Sequence, residues 1–292
     1  MTAAETGVVT VERHLVPRAD AQEFADELSG QVARLVDGLE ESAELIDYTF
    51  KSALLAMRLH CLADPDAGRL ETWTATTTAL QVGSALFAAT GADEGRVDCF
   101  IGHRARSIPA LGPQPCANPD NWLDTLWLAV ICRDRKRIEE LCEVPPERLR
   151  AGGAGYDDFV HRWTDALRSY WLRGPDLIDR LGLAFEASHP QAVRIAPFEL
   201  VDQVLFPPLD LLRRIVARQQ AEFGRTLVAA LEAHRTYWTS DESWATDANG
   251  ALPLGPLAMA CHAFDGDFPI GVESPYIPKY LLNREWLGEF PT

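Results

Sequence analysis

Asn118-Pro119-Asp120-Asn121-Trp122-Leu123-Asp124-Thr125-Leu126-Trp127-Leu128-Ala129-Val130-Ile131-Cys132 is the stretch from which the rest of the chain can be read. It opens with Asn as helix cap, Pro in the first helical position and acid in the first turn, so a helix is predicted to start sharply at 118–120. From Trp122 to Cys132 apolar side chains occur nearly all round that helix. Such a helix has to be covered on every side, and a central position is expected for it. Arg133 to Arg137 end it in a basic turn, which suits the negative end of the helix dipole.

Helical spacing continues outward in both directions. Phe24, Leu28, Val32, Leu35, Val36, Leu39, Ala43, Ile46 and Phe50 fall within about a 120° arc at about 100° per residue. This predicts one long amphipathic helix, or two with a break near Ser29-Gly30. The opposite arc carries Asp37, Glu40, Glu41, Glu44 and Asp47. A second long helix is expected over 70–90. Gly91 to Pro115 is rich in Gly and Pro, and its Val97–Ile101 run fits a short strand or a packed loop, with a hairpin near 97–110. After Pro145-Pro146 helices are expected near 156–172, 175–187, 197–206, 208–220 and 221–238, divided by prolines. Two of them end alike, in Tyr170-Trp171 and Tyr237-Trp238. A short buried helix follows over 254–261 and a last one near 279–286. The expected fold class is all-α: a compact array of antiparallel helix pairs in one domain over 1–292, with 1–20 as a loosely ordered arm.

The 292 residues carry a formal net charge of −16, and its placement matters more than its size. Residues 1–50 hold 11 Asp/Glu against 3 Arg, and 241–292 hold 8 against 2, so the two ends contribute −8 and −6. Charge of one sign on part of a surface attracts basic partners and repels nucleic acid and anionic membrane. No apolar run approaches the roughly 20 residues of a membrane helix. The start, Met1-Thr2-Ala3-Ala4-Glu5, has no basic segment followed by an apolar one, so a cytoplasmic location is expected.

Chemistry-bearing patterns are few. Cys61, Cys99, Cys116, Cys132, Cys142 and Cys261 form no CxxC pair and read as reduced thiols. His60-Cys61 and Cys261-His262 are adjacent, and neighbours on a helix point about 100° apart, so neither pair makes a metal site. A nucleophile and base can be assembled from Cys132 with His161 or His234, but a pairing chosen among six Cys and seven His is nearly free, and no motif surrounds the thiol. No phosphate loop, dinucleotide fingerprint or HExxH is present. Asp124, flanked by Trp122 and Trp127, must find a partner if it is buried. His234-Arg235-Thr236-Tyr237-Trp238 places a titratable ring and aromatic bulk at a helix end.

The run Trp122-Leu123-Asp124 through Leu128-Ala129-Val130-Ile131-Cys132-Arg133-Asp134-Arg135 resembles the immunity protein 49 family of bacterial polymorphic toxin systems. The likeness continues in Tyr156-Asp157, Trp163, Ala166-Leu167, His234, Tyr237-Trp238-Thr239, Leu254 to Cys261 and Val272-Glu273-Ser274-Pro275-Tyr276-Ile277-Pro278, covering residues 30–285. The resemblance implies an all-α cytoplasmic protein that binds and silences the toxin encoded beside it, with no catalytic residues and no cofactor to carry over.

The expected function is therefore neutralisation of a cognate, basic toxin domain by an acidic helical surface. Asp37, Glu40, Glu41, Glu44 and Asp47 are the first candidates for that surface, with Asp241, Glu242 and Asp247 second. The alternative is an enzyme or small-molecule-binding protein with an aromatic pocket among Trp122, Asp124, His234, Tyr237 and Trp238. A third possibility is a helical scaffold for some other protein partner.

Overall fold

The computed structural model describes residues 8–17, 19–151, 155–290 and 292. Strand β1 (Val9–Thr10) leads into three long helices, α1 (Ala21–Gly38), α2 (Ile46–Ala63) and α3 (Leu70–Gly91). The hairpin β2 (Arg96–Phe100) and β3 (Ala105–Pro109) follows, then α4 (Pro119–Ile131), α5 (Arg135–Glu143), α6 (Pro146–Arg150), α7 (Asp158–Trp171) and α8 (Leu177–Ala187). Next come α9 (Phe198–Leu200), a π-helical turn over Val201–Leu205, α10 (Pro207–Val216) and α11 (Gln220–Trp238). Two 3₁₀ turns, Trp244–Thr246 and Ala248–Ala251, precede α12 (Leu254–Asp265), β4 (Val272–Glu273) and α13 (Lys279–Leu282). The molecule is predominantly helical, as its periodicity predicts.

Helix α4 lies at the centre. The Asn118 side chain accepts the Asn121 amide at 3.0 Å and caps it, with Pro119 in the first turn. Beyond that turn only Asp124 is not fully buried, because α3, α5, α6, α7 and α12 all pack against it. Consecutive helices also pair, α1 with α2, α2 with α3, α7 with α8 and α10 with α11. Where α2, α3 and α4 meet, α3 presents Gly83: a Cβ there would stand 2.5 Å from Thr125 Oγ1 and 2.7 Å from Phe50 Cε2. The backbone thus approaches its neighbours as closely as only glycine allows. At the end of α4 Arg133 is turned inward. It donates to the Ile131, Leu281 and Leu282 carbonyls and pairs with Asp265 at 3.1 Å, tying α4 to α12 and α13.

The expected strand near Val97 is one arm of an antiparallel hairpin in which Arg96 pairs with Pro109 and Phe100 with Ala105. Gly102 and His103 at its tip both have positive φ, 62° and 63°, the twist that a tight two-residue turn needs.

The break in the first amphipathic stretch differs from expectation. Ser29 and Gly30 lie within α1, and the chain turns between Gly38 and Ile46. One glycine in a helix interior costs only about 1 kcal/mol, which the burial of Ala25, Val32 and Val36 outweighs. The acidic residues consequently straddle a turn and do not line one helix. Phe24, placed on the buried arc by its spacing, is 54% exposed.

Residues 1–7 of the N-terminal arm lie outside the described residues. Farther along it, Val9–Thr10 pairs in parallel with Val272–Glu273. Arg13 reaches into the protein and donates to the Cys61 and Leu62 carbonyls at 2.9 and 3.0 Å, satisfying the open C-terminus of α2. Among the described residues no helix is long and apolar enough to cross a membrane.

Candidate functional site

The five acidic residues around the α1–α2 turn divide into paired and unpaired. Asp37 meets Arg106 at 2.9 Å, and Glu40 pairs with both Arg104 and Arg106. Arg106 comes from the hairpin, its side chain only 6% exposed, and also donates to the Ile101 carbonyl. Asp47 accepts the Asn121 side-chain amide at 2.9 Å. Glu41 and Glu44 remain exposed, with no ion pair among the described residues. Beside them Leu45 and Tyr48 stand 58% and 54% exposed. The turn therefore shows two free carboxylates next to two uncovered apolar side chains.

The second acidic set is locally engaged. Asp241 accepts the Ser243 amide and hydroxyl, which hold its carboxyl below the usual range. Asp247 accepts the Asn249 amide at 2.9 Å, and Glu242 is exposed.

The aromatic residues singled out around Asp124 do not all converge. Asp124, His234 and Trp238 line one cavity of about 340 Å³. Trp122 is buried elsewhere, its indole donating to the Leu141 carbonyl at 2.8 Å. Tyr237 is outside the cavity lining, edge-on to Trp238 and tilted against Trp244. The cavity gains Trp127, Trp163 and Arg58, which spacing did not select. Arg58 was visible as a lone cation in the apolar run Ala53–Leu62 of α2. Trp127 and Trp163 came from different helices, and only their packing, with ring centres 6.0 Å apart, joins them.

Burial shifts the thiols and several histidines inside the protein toward their neutral forms. Burial pushes the thiols of Cys61 and Cys142 up to about 12 and of Cys261 up to about 11, and it also raises Cys132, so none is a thiolate near neutral pH. Burial lowers His234 to about 3, although its Nε2 bonds the Gly250 carbonyl at 2.9 Å. The Asp124 carboxyl is raised by burial, against the pull of Arg58 and Lys51. Among the described residues no three His, Cys, Asp or Glu side chains are grouped to hold a metal ion.

No curated protein and no solved structure matches the chain. The family model of immunity protein 49 matches residues 64–281, from the end of α2 into α13. The match takes in the central helix α4 and all but Arg58 of the cavity's polar and aromatic wall, and leaves α1 and α2 outside. A match over most of the chain, on a predominantly helical fold, places it: this protein belongs to the immunity protein 49 family.

Proposed function

We propose that this protein is a cytoplasmic immunity protein that neutralises a cognate basic toxin domain by covering it with the acidic face built around α1 and α2. The observation that carries the reading is the α1–α2 turn, where Glu41 and Glu44 are unpaired beside exposed Leu45 and Tyr48. Carboxylates at the rim attract a basic counterpart from a distance, and the apolar pair supplies area to desolvate on contact. Asp37 and Glu40 contribute less to steering than their exposure suggests, because the hairpin arginines already offset them. The acid at the other chain end, Glu242 above all, adds to the same field. Nucleic acid is disfavoured as a ligand by that charge.

Co-expression with the product of the neighbouring toxin gene tests the reading, scored by growth and by co-purification. The wild-type protein is expected to restore growth and to elute with the toxin. Combined Glu41→Lys, Glu44→Lys and Tyr48→Ala substitutions should abolish both while leaving the helical circular-dichroism signal intact. Rescue by that variant at wild-type strength would remove the turn from the interface; failure of the wild-type protein to rescue or co-elute would reject toxin neutralisation.

A further inference from the structure

The cavity around Asp124 has a charge and shape that docking at the α1–α2 turn does not use. Its walls come from α2, α4, α7, α11, the segment 249–256 and the π-helical turn Val201–Leu205, which supplies Gln203, Val204 and Leu205. A single turn of π-helix is uncommon and is frequent at functional sites. Trp127, Trp163 and Trp238 give it three indoles.

Its charges do not balance from within. Asp120 and Asp124 stand against one guanidinium, Arg58, and His234 is neutral. Asp120 accepts the Tyr156 hydroxyl at 3.1 Å, and Arg58 donates to Asn249 at 2.9 Å. Asp124 accepts no hydrogen bond and forms no ion pair among the described residues; Arg58 and Lys51 act on it only from longer range. A carboxylate that no protein donor meets, in a recess walled by three indoles, favours a positive guest over a neutral one. Trp238, the least buried of the three, favours the same kind of guest, since a cation over an indole is attracted by the ring's quadrupole. By contrast, in the groove of about 400 Å³ between α1, α2 and α3 Asp37 pairs with Arg106, Asp26 accepts from Gln22 and His60 bonds Ser29.

We infer that the cavity binds a small organic ammonium compound, whose cationic head meets the Asp124 carboxylate between the Trp127, Trp163 and Trp238 rings. About 340 Å³ lies at the lower end of small-molecule sites and suits a compact amine rather than a nucleotide or a fatty chain. Both primary and quaternary ammonium heads satisfy the charge, and the two are separated by the test.

Choline, n-butylammonium and the neutral choline isostere 3,3-dimethylbutan-1-ol are titrated into the full-length protein by calorimetry, with indole fluorescence as a second readout. Saturable binding is expected for at least one cation and not for the neutral isostere. Asp124→Asn should weaken the cation by about tenfold or more, equivalent to about 1.4 kcal/mol, and should melt no lower than wild type because it removes an unmatched carboxylate. Glu41→Lys with Glu44→Lys should leave amine binding unchanged, so this inference and the toxin-binding turn succeed or fail separately. Equal affinity for the neutral isostere, unaltered affinity in Asp124→Asn, or no saturable binding of either cation overturns it. The wild-type comparison of cation with isostere decides even where a variant does not fold.

Discussion

His234 shows how a single residue ties stability to acidity. Its ring is 4% exposed, donates from Nε2 to the Gly250 carbonyl, and sits against Trp238, Tyr276 and His14. Burial lowers its pKa to about 3, whereas an unfolded chain protonates it near 6.5. Between those values the unfolded state binds the extra proton, so stability rises with pH there. The contribution is complete above about 6.5 and is lost as pH falls toward about 3. His14, His60, His161 and His262 shift in the same direction through burial, and Asp124, raised, acts in the opposite sense. His234→Gln keeps a donor for Gly250 and removes the titration. Between about pH 7 and about pH 4.5 the wild-type protein should lose about 2–3 kcal/mol more than this variant, measured by urea unfolding. Equal losses would mean that the ring is protonated in the native state.

Among the elements, α3 illustrates how close packing, not helix propensity, sets the fold. Gly83 is a poor helix residue, and Ala in its place would favour the isolated helix by about 1 kcal/mol. In the protein its missing side chain is the space that Thr125 of α4 and Phe50 of α2 occupy. Gly83→Ala is therefore expected to lower stability by about 1–3 kcal/mol despite the better propensity, read from the thermal midpoint. A raised midpoint would show that α2, α3 and α4 can separate freely. The β2–β3 hairpin works on a different principle. Its arginines, Arg96, Arg104 and Arg106, reach back to Glu40 and Asp37 and hold the α1–α2 turn in place, at the expense of charge that would otherwise face solvent.

For the whole molecule, the surplus of acid at the two chain ends predicts the kinetics of association. Binding of a basic partner should slow as ionic strength rises from about 0.05 M to about 0.5 M, with dissociation much less affected, since screening shortens the reach of the field. Stopped-flow mixing with the purified toxin domain checks this, and an association rate independent of salt would leave the charge without a role in encounter. The helical class, the cap at Asn118, the central burial of Trp122 to Cys132 and the family were legible in the residues, because caps and periodicity are local properties. The acidic residues were legible as types but not as a surface: a turn after Gly38 divides them, and the hairpin arginines pair with Asp37 and Glu40. The sequence by itself determined which segments are helices and what total charge they carry, since both follow from composition and short-range spacing. Only the tertiary structure decided that Glu41 and Glu44 stay free and that Asp124, Arg58, Trp163 and Trp238 surround one cavity. Those meetings join residues far apart along the chain, and the packing of α2, α4, α7 and α11 alone brings them together.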